Sequence, residues 1–298
     1  MEGRVRPEYS REKILSILSK AADILTLPYV IHEILDVTSG KNSSASDLTE
    51  IIESDPALTV RILSVANSPY YGFVKKISTI SHAVVVLGFQ EIQNIALSMS
   101  VIQMFDRKGS EFTEKLWRHS FAVGVTTRMM ANCLNCRMDG KYFVGGLLHD
   151  VGKIFLSQYL TERFTEMLSV MEGKDNIRSY HALEDEYFGI SHAEIGGRLL
   201  ESWMFPQEIC DAVAFHHNPS GVGDDPVFAA CVHIADILCT VKGISPLKED
   251  YFLTIQKSIL PVLQGLKDNL STDDLVNLIP QIDLEIDRHS NFVSAFKH

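Results

Sequence analysis

Eleven histidines run through the 298-residue chain, and several stand with carboxylates in a pattern that suits metal chemistry. His119 lies in Leu-Trp-Arg-His-Ser, and the doublet His149-Asp150 in Gly-Gly-Leu-Leu-His-Asp-Val-Gly-Lys. His192 follows Ser191, the pair His216-His217 precedes Asn218-Pro219, and Asp236 lies in His-Ile-Ala-Asp. Imidazole and carboxylate together suit divalent ions such as Fe, Mn, Zn or Ni. Neighbouring residues on a helix point about 100° apart, so His149 and Asp150 can aim at one ion only where the helix ends. Gly152 is the residue expected to end it. With Asp150 bridging, the doublet could serve two ions.

Two helical stripes carry such groups toward a core. Ile209, Val213 and His216 fall at i, i+4 and i+7, and Ala229, Val232 and Asp236 at i, i+3 and i+7. A buried carboxylate without a partner is costly, so Asp236 needs a metal, a cation or a hydrogen-bond donor.

The rest of the chain is helical in its spacing as well. Ile80, Ala83, Val84 and Leu87 share one face, as do Ile92, Ile95, Ala96 and Met99, with Gly88 as the break between them. Asp55-Pro56 opens a helix that runs to Ala66, where Asn67-Ser68-Pro69 stops it. Ser191 and Glu194 have capping-box spacing, with Ile190 and Ile195 placed as a staple. Pro206 and Pro226 read as first residues of helices, the second behind Asp225. No Asn-Gly hairpin, sustained alternation or internal repeat appears, so the fold class is all-α: a two-lobed helical bundle.

A polar break at Asp106 to Ser110 divides an N-terminal helical lobe, residues 1–106, from a second lobe, residues 107–245, that holds the metal candidates. Residues 246–298 read as further helices with apolar faces at Ile255, Ile259 and Val262 and at Leu275, Leu278 and Ile279, and Pro261 as a kink. Gly40 to Ser46 is expected to be a loop in the first lobe.

Composition narrows the function. The chain is 46% hydrophobic and 22% charged, and 27 basic against 38 acidic residues give a net charge of −11. That balance lacks the basic footprint of a general nucleic-acid or anionic-membrane binder. Five cysteines are too few and too odd in number for a disulfide framework. The charged start lacks the apolar core of a signal peptide, and no window of about 18 apolar residues occurs, so a cytoplasmic location is expected.

His119, His149-Asp150 and Asp236 resemble the H…HD…D pattern of the HD superfamily of metal-dependent phosphohydrolases. His192 and His216-His217 extend the likeness toward the HD-GYP branch, which hydrolyses cyclic di-GMP. That resemblance implies one ion held by His119, His149, Asp150 and Asp236. A second would be held by Asp150, His192, His216 and His217, with Lys153 and Asp150 as the catalytic pair, Lys153 facing phosphate. After the histidine pair this chain carries Asn218-Pro219-Ser220-Gly221-Val222-Gly223 where HD-GYP proteins have Asp-Gly-x-Gly-Tyr-Pro, which argues against cyclic dinucleotide hydrolysis. The first lobe resembles the HDOD family. The motifs are Leu27-Pro28, Asp55-Pro56-Ala57-Leu58-Thr59, Ala66-Asn67-Ser68-Pro69-Tyr70-Tyr71-Gly72, Ile77-Ser78-Thr79-Ile80 and Val86-Leu87-Gly88. The likeness covers about residues 20–240 and implies a bacterial signalling module with protein partners.

Three functions follow as expectations. The first is a regulatory HDOD module whose pocket binds divalent metal, up to two ions of Fe, Mn or Zn, or a small ligand. The second is a phosphohydrolase acting on a phosphorylated small molecule or nucleotide. The third, a nucleic-acid binder, is disfavoured by the charge. Plainer roles compete at single residues. Lys153 near a helix end could complement the helix dipole, and Cys133 and Cys136 read as small apolar fillers despite their C-x-x-C spacing. His181 and His233 fit no ligand spacing and read as surface or supporting residues. Trp117 and Trp203 read as core, and Tyr70-Tyr71-Gly72 as a turn packed on the first lobe.

Overall fold

The computed structural model describes residues 9–24, 30, 33–34, 37, 44–68, 71–73, 75–105, 111–136, 140–173, 178–223, 225–247, 257–267 and 270–288. Within them all regular structure is helical and no strand occurs. The N-terminal helices are α1 (Arg11–Ile24), α2 (Ala45–Glu53), α3 (Pro56–Ala66), α4 (Ile80–Leu87) and α5 (Phe89–Phe105). Next come α6 (Glu111–Cys133), α7 (Lys141–Leu148), α8 (Val151–Tyr159), α9 (Thr161–Met171), α10 (Tyr180–Phe188), α11 (His192–Ser202), α12 (Gln207–Ala214) and α13 (Val227–Val241). The chain continues with α14 (Leu260–Leu266), α15 (Thr272–Val276) and α16 (Ile279–Arg288). No single helix among the described residues is long and apolar enough to cross a membrane.

Local chemistry accounts for these boundaries. Asp55 Oδ1 accepts from the main-chain N–H groups of Ala57 and Leu58 at 2.9 and 3.1 Å, and Pro56 has no N–H to leave unpaired. The α4–α5 break falls at Gly88, whose φ of +93° lies where a side chain would be strained. Ile80, Ala83 and Val84 on α4 and Ile92, Ile95, Ala96 and Met99 on α5 are all buried, as the helical period predicts. Asn67 stops α3 and then ties the following loop. Its Nδ2 donates to the carbonyls of Leu63 and Ile77, and its Oδ1 accepts from the Ile77 N–H, each at 2.7 Å.

Several expected boundaries shift. Ala45 and Ser46 belong to α2, because Ser44 caps it, its side chain accepting from Asp47 N–H; Gly40 to Ser43 lie outside the described residues. Pro206 and Pro226 sit one position before their helices rather than inside them, and Asp225 Oδ1 still accepts from Val227 N–H at 3.2 Å. Pro261 is the second residue of α14 instead of the kink of a longer helix, since its missing N–H is harmless in a first turn. Leu27-Pro28, the break at Asp106 to Ser110, and Ile255 lie outside the described residues.

The helices that carry the site pack unusually closely. α6 and α7 meet main chain to main chain: a Cβ on Gly146 would fall 2.7 Å from the Gly124 Cα and 2.8 Å from the Val123 carbonyl oxygen. α11 packs on both α8 and α12, and α13 packs along α6. These contacts bring the ends of α7, α11 and α12 to the flanks of α6 and α13.

Candidate metal centre

The pocket is built where helices stop. α7 ends at Leu148, and α8 begins at Val151, so His149 and Asp150 form the joint between two helices. Asp150 has φ −100° and ψ 12°, outside the helical range, and the doublet can therefore turn both side chains inward. The break thus precedes Gly152 rather than being caused by it. Gly152 lies in the first turn of α8, and a Cβ there would fall 2.0 Å from the His192 carbonyl oxygen. Its role is to let α8 lie against the start of α11.

Ser191 caps α11 by accepting from Glu194 N–H at 3.2 Å, which fixes His192 in the first turn. Glu194 does not close the reciprocal half of a capping box with Ser191; its carboxylate is held by Arg11 and Arg198. His216 and His217 follow the end of α12, and Asp236 stands in the middle of α13.

The structure brings all seven expected residues together. The ligand atoms of His119, His149 and Asp150 lie within 4.8 Å of one another, as do those of His192, His216 and His217 and those of His149, His216 and Asp236. Asp150 spans the pocket. Its Oδ1 is 3.2 Å from His192 Nε2, while its Oδ2 is 3.4 Å from His149 Nε2 and 2.9 Å from Lys153 Nζ. His119 Nε2 is 3.1 Å from Asp236 Oδ1. His119, His149, Asp150, His192 and His216 are at most 1% exposed, and Lys153 and Asp236 are 5% exposed. His217 alone is partly exposed.

The ring orientations are fixed from behind. His119, His149 and His216 place Nδ1 on the carbonyl oxygens of Ile244, Gly146 and Val213, at 2.6, 2.7 and 2.7 Å. A carbonyl only accepts, so each Nδ1 carries the hydrogen; His149 and His216, whose charged forms burial disfavours, turn a bare Nε2 lone pair inward, while His119 Nε2 faces Asp236 Oδ1. His149 Nε2 and Asp150 Oδ1 are buried and have no hydrogen-bond partner of acceptable geometry. His192 Nε2 faces His216 Nε2 at 3.3 Å and His217 Nε2 at 3.0 Å. Lone pairs gathered so closely repel unless a proton or a metal ion lies among them. The donor set therefore fits a divalent ion.

Electrostatics divide the histidines. Burial lowers the pKa of His149, and pulls His216 and His217 well below the usual value, with neighbouring imidazoles adding to the effect. Burial acts the same way on His119 and His192, but carboxylates outweigh it: Asp236 raises His119, and Glu184 and Asp150 hold His192 up at about 9. Burial would also raise the two aspartates. Against it, His149 and Lys153 hold Asp150 well below its ordinary range, and His119 does so for Asp236.

Glu184 is the supporting residue that the sequence reading missed. It is fully buried, and its Oε2 accepts from His192 Nδ1 at 2.7 Å and from His192 N–H at 3.1 Å. Tyr180, Leu183, Glu184 and Phe188 form the buried stripe of α10. A carboxylate on an apolar stripe is the signal that marked Asp236, and it was there to be seen. His233 likewise proves to be buried, with Nδ1 2.8 Å from the His216 carbonyl oxygen. His181 is half-exposed at the rim, its ring 5.9 Å from that of His217. Lys153 Nζ lies 4.7 Å above the Tyr180 ring while bound to Asp150, so it is spent inside the pocket.

An all-helical chain with a buried histidine–aspartate pocket at its helix joints defines the class. The HDOD domain profile matches residues 24–219, and the chain belongs to the HDOD family. An uncharacterised protein of Treponema pallidum is 26% identical over 204 residues, covering 68% of this chain but 39% of that protein, so the chain spans about two fifths of its relative's length. An HDOD domain protein of unknown function from Geobacter sulfurreducens superposes with a TM-score of 0.70 at 22% identity, over 96% of this chain and 98% of the other. A candidate phosphohydrolase from Shewanella amazonensis gives 0.69 at 22% identity, over 94% and 97% of the two chains. A candidate signal transduction protein from Marinobacter aquaeolei gives 0.69 at 22% identity, over 97% of this chain and 66% of that one. At this identity the likeness is one of fold.

Proposed function

We propose that the chain is a regulatory HDOD module whose pocket binds divalent metal, up to two ions, and whose occupancy biases a surface read by a signalling partner. The observation that carries it is the gathering of bare imidazole nitrogens around Asp150, with His149 Nε2 buried and unpartnered. His119, His149, Asp150 and Asp236 would hold one ion, and Asp150, His192, His216 and His217 the other. Fe, Mn and Zn suit this mixture of imidazole and carboxylate. The net charge of −11 supports a protein or small-molecule partner over nucleic acid or a membrane surface.

A second reading, a metal-dependent phosphohydrolase, is favoured by one observation: Lys153 Nζ and the Asp150 carboxylate, which lies between the two histidine clusters, are 2.9 Å apart inside the pocket. Bound ions would supply Lewis acidity and an activated water. In this chain Asp150 would orient the ligands on both sides, and Lys153 would have to leave Asp150 to meet a phosphate. The segment after His217 reads Asn218-Pro219-Ser220-Gly221-Val222-Gly223 in place of the substrate signature, and Pro219–Val222 forms a 3-10 turn with Pro219 buried.

One assay separates the two readings. Protein loaded with Mn2+ or Zn2+ is incubated with cyclic di-GMP, nucleotides and a generic phosphodiester. The regulatory reading expects a metal-induced rise in Tm and no turnover. Turnover that disappears in Asp150→Ala and Lys153→Ala would establish the second reading instead.

A further inference from the structure

The two halves of the pocket are unequal. Around His119 and His149 two carboxylates face the ligand space directly, and Asp236 stays available there even with Lys153 drawing on Asp150. The cluster of His192, His216 and His217 has three imidazoles and one close carboxylate oxygen, Asp150 Oδ1 at 3.2 Å from His192 Nε2, while Asp236 stands further off, within 4.8 Å of His216. A further anion stands one step back. Glu184 holds His192 by ring and main chain through Oε2, while its Oε1 is buried without a hydrogen-bond partner. A carboxylate so isolated is stable when the ring it holds faces positive charge on its other side, and the anion raises the ligand strength of that ring.

We propose that the three-histidine half is the weaker, exchangeable ion site, and that Glu184 is the positioning residue that decides whether it fills. This rests on the metal-centre reading above. Glu184 acts in three ways. It keeps the proton on His192 Nδ1, so that Nε2 points at His216 and His217. It places negative charge behind a half-site that is otherwise poor in it. Through the His192 N–H it also fixes the first turn of α11, from which the ring projects.

The test is a Zn2+ titration of the full chain against a chromophoric chelator. Wild type is expected to bind in two resolved steps, one tight and one weaker. Glu184→Gln keeps the shape and removes the charge; it should leave the first step unchanged and weaken the second by about 10–100-fold. Asp236→Asn should weaken the first step instead. Wild type that takes up no zinc would overturn the metal-centre reading and this inference with it. Two ions bound with equal affinity, or Glu184→Gln matching wild type, would overturn this inference alone. Equal weakening of both steps would show Glu184 to be a purely structural residue, which also overturns it. Circular dichroism checks folding of each variant, and if Glu184→Gln does not fold, the spacing of the two wild-type steps still decides the first half of the proposal.

Discussion

Gly152 lies so close to His192 that a Cβ on residue 152 would sit 2.0 Å from the His192 carbonyl oxygen. The obstacle is main chain, so it cannot swing aside as a side chain would. Gly152→Ala must push α8 and α11 apart, and with them Asp150 and His192, whose Oδ1 and Nε2 are 3.2 Å apart. Overpacking of this kind costs about 1–3 kcal/mol or more. Urea unfolding should show that loss, and metal uptake should fall with it; a variant with wild-type stability would contradict the packing.

Lys153, its Nζ 2.9 Å from Oδ2, joins His192 in compensating the charge of Asp150 when no metal is bound. Removing one member of a buried pair costs about 3–5 kcal/mol. Lys153→Met should therefore destabilise the metal-free protein by that order and gain more stability than wild type from added Zn2+, because the ion takes over the missing charge. Chemical denaturation with and without Zn2+ measures both effects. Equal gains in the two proteins would sink the explanation.

Protonation and metal should compete at His192. In the metal-free protein burial works against its charge, but Glu184 and Asp150 hold its pKa up at about 9, against an ordinary 6.5. A raised folded value gives stability that is complete below about 6.5 and is lost as pH rises through 9. His149, His216 and His217 shift downward, so they remove stability as pH falls below 6.5. The metal-free protein should thus lose stability on both sides of neutral pH. Metal affinity should climb from neutral pH toward 9, and uptake at neutral pH should release protons. Calorimetry in buffers of different ionisation enthalpy reads the release; none at neutral pH would contradict this account of His192.

Asn67 is expected to matter for the fold and not for the pocket. Asn67→Ala removes three hydrogen bonds to the main chain of Leu63 and Ile77. Leaving those groups unsatisfied costs about 1–3 kcal/mol. Thermal unfolding should show the loss while the number of bound metal ions stays that of wild type. A changed stoichiometry would mean that this loop reaches the site after all.

Much of this arrangement was legible from residue types and spacing. The helical period placed Ile80, Ala83 and Val84 and Ile92, Ile95 and Ala96 in the core, and Asp55-Pro56 marked a helix start that the capping bonds explain. The stripe ending in Asp236 pointed its side chain inward on α13, whereas His216, expected at the end of a stripe on α12, is buried two residues beyond the end of that helix, which stops at Ala214. The helix break at His149-Asp150 was displaced in the reading because glycine is the usual terminator, whereas Gly152 serves a contact between helices distant in sequence. Pro261 looked like a kink because nothing in the spacing shows where α14 begins. Glu184 was missed for a different reason. The apolar stripe of α10 signals its burial, but its role depends on two hydrogen bonds to a residue eight positions on, across a turn whose path the sequence does not specify. Anchors such as the carbonyls of Ile244, Gly146 and Val213 carry no sequence signal, since every residue has one.

The most direct test of the metal centre is elemental mass spectrometry on wild-type protein and His149→Ala, purified without chelator and without a histidine tag. The account predicts Fe, Mn or Zn bound to wild type, at up to two ions per chain, and lost from His149→Ala, whose missing Nε2 is the buried unpartnered nitrogen of the pocket. Wild-type protein that carries no metal and takes none up on reconstitution would contradict it.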